Sequence, residues 1–501
     1  MSTGEGGVED RAPVLRLWLA FFAFTATVAW LVQLVILPYV IPSWNGGQGL
    51  LVGGDWLQFH RIAVDLAEKI RGQGWSAWEL RPEGQAPSGI AGAIYALTVP
   101  APWTIVPLNA ALQATSGIVL LSIVQVFMPN WRLAIWATLP FMLYPSSMTW
   151  YAQLHKDGYT IAGTLLFLYG WILMAQVNTW RSDWRHLAQA LLCLVSGVIL
   201  VWLMRPYVVQ IMQGVAVLLA LLTTVVLPVW KRRNRSGWAS TAVSVLLVWV
   251  AVFAMTPFTR GGIEREAPPP TAGLPLPRAT AGAAPPPSAG LPLPRATAGA
   301  APQSVDSLPE PLWRPSELLP SFIENKFYAL ATVRDDFRTT YPDAASNVDI
   351  DVRFHDVSQV LRYLPRAAEI AFLAPFPSQW FERGSSNAST AMRRVSELEM
   401  IGVYLALLLL PYSIWRWRCR IEAWIVLVFC TVSIVTYGIA TPNVGALYRM
   451  RYGHVMILAA IGILGGLVAV EKAGLRRWMI RFHRRVQRKP EAVIPPGGGI
   501  H

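Results

Sequence analysis

The chain has 501 residues, of which 54% are hydrophobic and only 14% charged, with a formal net charge of +13. Such a composition, with a mean hydropathy of +0.40, excludes an ordinary soluble domain and points to a polytopic membrane protein. Three cysteines, Cys193, Cys419 and Cys430, fall in or beside apolar runs without metal-ligand spacing, which excludes a disulfide framework as the organising principle.

Apolar runs of bridging length predict an all-α fold of about ten transmembrane helices, each needing roughly 17–25 residues to cross a bilayer. In chain order they are Leu17–Val40, Ile105–Met128, Leu133–Trp150, Tyr159–Val177, Leu187–Met204, Tyr207–Val229, Ala239–Phe258, Met400–Trp415, Ala423–Ile439 and Val455–Val470. In this topology the whole net charge of +13 falls on the side that holds both termini. Basic clusters at 231–233, 416–420 and 476–489 abut spans there, so the positive-inside rule predicts that this side is cytoplasmic. The basic balance thus follows from topology and calls for no nucleic-acid partner. No positively charged segment with a small-residue cleavage site precedes the first run, which is read as a retained span.

The first outer loop, 41–104, carries Gly53-Gly54-Asp55-Trp56, a turn leading into an amphipathic stretch. Trp56, Phe59, Ala63, Leu66 and Ile70 recur at helical spacing with charged residues between them, as in a helix lying at the membrane surface. A more apolar piece, Gly89–Thr98, leads to the second span. Three further polar segments fall on the same face: Tyr151 to Gly158, Arg205-Pro206, and Thr441 to Tyr452. After the seventh span a 17-residue unit occurs twice, Ala267–Ala283 and Ala284–Ala300. Its Pro, Ala and Gly content predicts an extended linker (257–312) joining an N-terminal membrane module (1–256) to a small extracytoplasmic domain (313–395). In that domain Asp356–Leu364 reads as a short helix, with Pro365 opening another and Ala367–Phe376 at the interface. A C-terminal membrane module (396–472) and a basic cytoplasmic tail (473–501) follow.

The candidate chemistry is the convergence of Asp55, His155-Lys156-Asp157, Arg205, Arg449 and Arg451 from four separate loops. Each has a plainer reading: Asp55 and Asp157 as helix caps, His155 as a packing histidine, the arginines as side chains reaching for headgroups. Capping and catalysis are compatible, since one carboxylate oxygen can hold a backbone N–H while the other faces a substrate. The guanidinium fork also suits a phosphate. Asp349-Ile350-Asp351 would present two carboxylates on one side of an extended segment, as a divalent metal could use, but a solvated strand is the default for so short a motif. No cofactor is called for, and a metal is not indicated.

Three segments, GGDWLQFHRIA, YPSSMTWYAQLHKDGY and N-x-G-x-x-x-R-x-R before the last span, resemble GT-C type membrane glycosyltransferases, the protein mannosyltransferase and aminoarabinose transferase group with its bacterial relatives. Where that family has an acidic pair, this chain has Asp55-Trp56. The resemblance implies a protein of the bacterial plasma membrane that moves a sugar from a polyprenyl-phosphate donor to a hydroxyl of a glycan, lipid or protein on the extracytoplasmic face. Asp55 is then the expected base, with Asp157 orienting Lys156 or the acceptor. Lys156, Arg205, Arg449, Arg451 and His155 are expected around the phosphate, and His60, Tyr151 and Trp75 at the substrate. An O-antigen polymerase or ligase, a lipid-linked glycan flippase and a non-catalytic assembly subunit are the competing readings.

Overall fold

The computed structural model of the chain describes residues 13–176, 184–233, 245–246, 249–256, 313–316, 318–384 and 387–487. Among them eight helices are long and apolar enough to cross a membrane, so the chain is a helical, membrane-embedded protein. Each matches one of the expected spans. The repeat at 267–300 and half of the expected span Ala239–Phe258 lie outside the described residues.

Helix α1 (Val14–Leu31) runs on into a wider turn of π-helix, Val32–Val40, and a two-stranded hairpin, Asn45–Gly47 with Leu50–Leu51, follows. The first loop then folds into two helices, α2 (Asp55–Gln73) and α3 (Ala86–Leu97). The apolar stripe foreseen in α2 is buried and wider than expected, comprising Phe59, Ile62, Ala63, Leu66, Ala67 and Ile70. Arg61, Asp65, Glu68 and Lys69 face outward. Each large aliphatic or aromatic side chain so removed from water contributes about 1.5–3 kcal/mol. Arg71, at the end of α2, donates to the carbonyls of Tyr95 and Thr98, closing the C-terminus of α3.

The next elements are α4 (Val106–Phe127), α5 (Trp131–Leu143), α6 (Pro145–Tyr151), α7 (Asp157–Gln176), α8 (Trp184–Met204) and α9 (Pro206–Arg233). The expected span Leu133–Trp150 is not one helix. Pro145 forces the residue before it out of the helical region, and Tyr144 is extended (φ −63°, ψ 124°). A 13-residue α5 is left, about 20 Å long at 1.5 Å per residue, and α6 turns away to carry the second polar segment. Helices α7 and α8 cross where Gly163 meets Gly197: a Cβ on either would come within 2.7 Å or 2.6 Å of the other's carbonyl oxygen. Such close backbone approach is how helices associate in lipid, where burial of apolar surface offers little.

The remaining elements are α10 (Ser321–Thr340), α11 (Val357–Leu373), α12 (Asn387–Trp417), α13 (Ile421–Ala440) and α14 (Val444–Gln487). The expected break at Pro365 is absent, and α11 passes through it as a single helix. Asp356 caps α11 by accepting from Gln359 N–H at 2.8 Å, while the Gln359 side chain accepts from His355 N–H. Segment 313–384 is docked on the corner between α13 and α14. Asn347 and Asn443 form an antiparallel bridge, flanked by Val348 N–H to Pro442 O (2.9 Å) and Val444 N–H to Ser346 O (2.8 Å). The buried Arg334 guanidinium binds the carbonyls of Val352, Asp349 and Ile439, joining both sides of that seam. Asp349 of the D-x-D motif is engaged by Arg366 (3.0 and 3.2 Å) and by the Tyr363 hydroxyl (3.0 Å). Although burial pushes the Asp349 carboxyl upward, these contacts hold it below its ordinary value. This acid is a structural anchor, and the metal reading of the motif has no free carboxylate pair to rest on.

Helix α11 lies against α13 at Gly438, where an added Cβ would stand 2.5 Å from Ala367 O. Gly438→Ala is therefore expected to cost about 1–3 kcal/mol through overpacking against rigid backbone. Thermal unfolding in lipid nanodiscs measures it, and an unchanged midpoint would show that α11 does not dock this closely.

Candidate active site

The segment between α6 and α7 is held in place by buried amide side chains. Gln33 donates to Ala152 O, and Asn109 donates to the carbonyls of Tyr151 (3.0 Å) and Gln153 (2.8 Å). The Gln153 side chain accepts from Leu51 N–H at 3.0 Å, tying the segment to the hairpin of the first loop. Unsatisfied amides are costly in an apolar interior, so these pairings give the segment one conformation.

That conformation buries Asp157 at the start of α7, 1% exposed. Its Oδ1 lies 2.6 Å from Arg205 Nη2 and its Oδ2 lies 2.8 Å from His155 Nδ1. The far nitrogen of His155, Nε2, lies 2.9 Å from Arg449 Nη1. A guanidinium has only donors, so Nε2 is the acceptor in this contact, while Nδ1 lies against both the Asp157 carboxylate, at 2.8 Å, and the Asp157 amide, at 3.1 Å. His155 thus connects Asp157 to Arg449. Arg205 comes from the break between α8 and α9, placed there by Pro206, which opens α9. Nearby, Arg81 of the first loop donates to Trp202 O at 2.6 Å and covers the Trp202 ring at 4.4 Å.

Asp55 belongs to the first loop. It opens α2 as the first helical residue, after Gly54, which occupies the cap position with no side-chain bond. The expected role of Asp55 as the helix cap is corrected: Gly54, extended at φ −114° and ψ 163°, already makes the turn into the helix. Among the described residues no hydrogen-bond or ion-pair partner is within reach of the exposed Asp55 carboxylate. Its electrostatic neighbour is Tyr341, whose hydroxyl is pushed above its ordinary pKa by burial and then by Asp55, with Arg449 pulling it down. Asp55, Tyr341 and Arg449 therefore share one locality. Trp56 continues it, its ring 5.8 Å from that of His155.

The other expected site residues divide. Lys156 extends over the Phe59 ring at 5.4 Å, toward α2, while the close partners of Asp157 are Arg205 and His155. The expected orientation of Lys156 by Asp157 gives way to an orientation of His155. Arg451 is 1% exposed and binds the carbonyls of Ile370, Ala371 and Ala374 at the end of α11. It satisfies the orphan carbonyls of a helix C-terminus and is not presented to a phosphate. His60 binds Tyr95 Oη at 3.0 Å, with burial lowering its pKa, and belongs to the α2–α3 contact. Tyr151 is 3% exposed and packed on Gly158 beneath the site. Trp75 is exposed, but it follows the far end of α2, about 30 Å from Asp55 at 1.5 Å per residue. His155, Asp157, Arg205 and Arg449 are brought together, and Asp55 shares the electrostatic neighbour Tyr341 with Arg449. Arg451, His60, Tyr151 and Trp75 serve packing or lie elsewhere.

A cavity of about 310 Å³ opens beside Arg449, between segments 344–347, 375–384 and 389–396 and the helices α6 and α14. Under it lies a group that the sequence reading passed over. Glu399 is 6% exposed, and its carboxylate accepts from Ser146 N–H (2.7 Å), Ser146 Oγ (2.5 Å) and Tyr448 Oη (2.6 Å). An acid at the mouth of an apolar run was the only signal available for it; its partners are about 50 and 250 residues away in sequence.

The buried Asp157–Arg205 pair yields a direct test. Arg205→Met removes one partner and leaves an uncompensated buried charge, which is expected to cost about 3–5 kcal/mol. Adding Asp157→Asn is expected to recover at least half of that loss, since the two effects are coupled. Unfolding of the single and double variants in lipid nanodiscs decides, and strictly additive losses would show that the pair does not interact.

No family model matches the sequence, and searches of curated proteins and of solved structures returned no match.

Proposed function

We propose that the protein is a membrane glycosyltransferase that moves a sugar from a polyprenyl-phosphate donor to a hydroxyl acceptor on the extracytoplasmic face. The observation that supports this reading is a buried chain of Asp157, Arg205 and His155 that holds Arg449, with an exposed acid, Asp55, that has no partner among the described residues and shares the electrostatic neighbour Tyr341 with Arg449. An acid and a preorganised cation at a membrane boundary are the two groups that such a transfer needs.

In the proposed step the acceptor oxygen attacks the anomeric carbon of the donor sugar. The bond from that carbon to the phosphate oxygen breaks, the acceptor proton passes to the Asp55 carboxylate, and the polyprenyl phosphate departs. Direct displacement inverts the anomeric centre. Arg449 offsets the charge growing on the leaving phosphate, and its contact with His155 fixes the guanidinium before the reaction, which is where electrostatic stabilisation is largest. Asp157, 2.8 Å from His155 Nδ1, holds the imidazole in the orientation that meets Arg449. The basic residues at 231–233, 416 and 476–487 form the far ends of α9, α12 and α14, which supports an extracytoplasmic site in a bacterial plasma membrane.

Because Gly54 and not Asp55 caps α2, Asp55→Asn is expected to fold normally and to lower transfer by about 10²–10⁴, the usual loss for a general base. The readout is the profile of lipid-linked glycans and surface glycans, by mass spectrometry, in cells carrying only the variant. Cells with Asp55→Asn are expected to accumulate the same unprocessed intermediate as cells lacking the gene. A wild-type profile with Asp55→Asn would remove the base assignment, and an unchanged profile on gene loss would remove the transferase reading altogether.

A further inference from the structure

The transfer step above leaves the cavity beside Arg449 unused. At about 310 Å³ it falls in the range of small-molecule sites, roughly 300–1,000 Å³, and its wall has a definite polarity. Ser146 and Tyr448 both line it, and each has a single hydroxyl proton. Both protons point away from the cavity, to Glu399 Oε2 at 2.5 and 2.6 Å, while Ser146 N–H goes to Glu399 Oε1 at 2.7 Å. A hydroxyl that has committed its proton can only accept from anything else. This wall therefore meets a ligand with lone pairs.

The other boundaries differ. Arg449 lines the cavity and offers only donors, one of them taken by His155. Arg393 also lines it, but its charge is offset by Glu382 at 2.6 Å and Glu397 at 3.5 Å. The Gln379 amide supplies both a donor and an acceptor, and the Trp150 indole adds an apolar plane. An occupant must bring several O–H donors to the Ser146–Tyr448 wall, oxygen acceptors to Arg449, and an apolar face to Trp150. A hydroxyl-rich ring meets all three demands.

We propose that this cavity is the subsite for a carbohydrate acceptor, with Glu399 as the positioning residue that sets the proton direction of Ser146 and Tyr448. Its assignment to the acceptor rests on the transferase reading; the polarity of its wall does not. Glu399 acts through the two hydroxyls and does not touch the ligand. Glu399→Gln keeps the shape, but with its oxygen kept for Ser146 N–H its NH2 replaces the oxygen that accepts from both hydroxyls, so that both must redirect their protons.

The test is saturation-transfer NMR on the full chain in lipid nanodiscs free of sugar detergents. The probes are the methyl glycosides of glucose, mannose, galactose and arabinose, with cyclohexanol as the ring lacking additional hydroxyls. At least one glycoside is expected to bind the wild type, and cyclohexanol is not. Ala345→Trp, which fills the cavity from its exposed rim, is expected to abolish the signal. Tyr448→Phe and Glu399→Gln are expected to weaken binding by roughly threefold to tenfold, the effect of one hydrogen bond. A purely structural Glu399 would instead lower the unfolding temperature of Glu399→Gln and leave binding by the folded protein unchanged, which would overturn the positioning role. Absence of binding by every glycoside, or binding undiminished in Ala345→Trp, would overturn the subsite. Asp55→Asn is expected to retain binding. Loss of glycan transfer in Asp55→Asn with no glycoside bound to the wild type would leave the transferase reading standing without this subsite. Glycoside binding alongside normal transfer by Asp55→Asn would do the reverse.

Discussion

Asp157 is a carboxylate buried at the start of a membrane helix, and a buried charge of this kind persists only if it is matched. Its two oxygens recruit Arg205 from the α8–α9 break and His155 from its own loop, and His155 in turn meets Arg449 from α14. Three chain segments distant in sequence are thereby drawn to one point. The amides of Gln33, Asn109 and Gln153 serve the same end, because the backbone leading into Asp157 has no regular secondary structure to satisfy it.

The same logic separates arginines of one sequence pattern into different jobs. Arg449 and Arg451 are two residues apart on α14, a spacing that places them on different faces of a helix. Arg449 meets a histidine at the site, whereas Arg451 is turned into the protein and closes the C-terminus of α11. Arg334 and Arg71 do comparable work for the α13 corner and for α3. Arginine is suited to this role because its planar fork can satisfy several carbonyls at once where no water is available. Segment 313–384 is thus fastened to the bundle mostly through backbone carbonyls, and the cavity beside Arg449 is a product of that fastening.

Glu399 shows how a second acid can be kept in the interior without a cation. Three neutral donors surround it, two of them hydroxyls and one the N–H that Ser146 presents in the first turn of α6. The Pro145 that ends α5 early is also what brings Ser146 to this place. A feature that shortens a span therefore creates part of the site, and the short helix α5 and the polar floor of the cavity have one cause.

Hydrophobic run length and the register of α2 were legible in the sequence because each depends on local pattern: eight expected spans have helices at the same places, and the stripe from Phe59 to Ile70 is buried. The convergence of His155, Asp157, Arg205 and Arg449 was also legible, since topology alone puts those loops at one end of the bundle. What each polar residue does there was decided by tertiary structure. Gly54 displaced Asp55 as the cap, Arg451 went to carbonyls, Trp75 was carried to the far end of a 19-residue helix, and Glu399 found partners from two remote helices. Apolar periodicity specifies which face is buried, whereas a polar side chain's role is set by the donor or acceptor it meets, and that partner is supplied by chain packing rather than by neighbours in sequence.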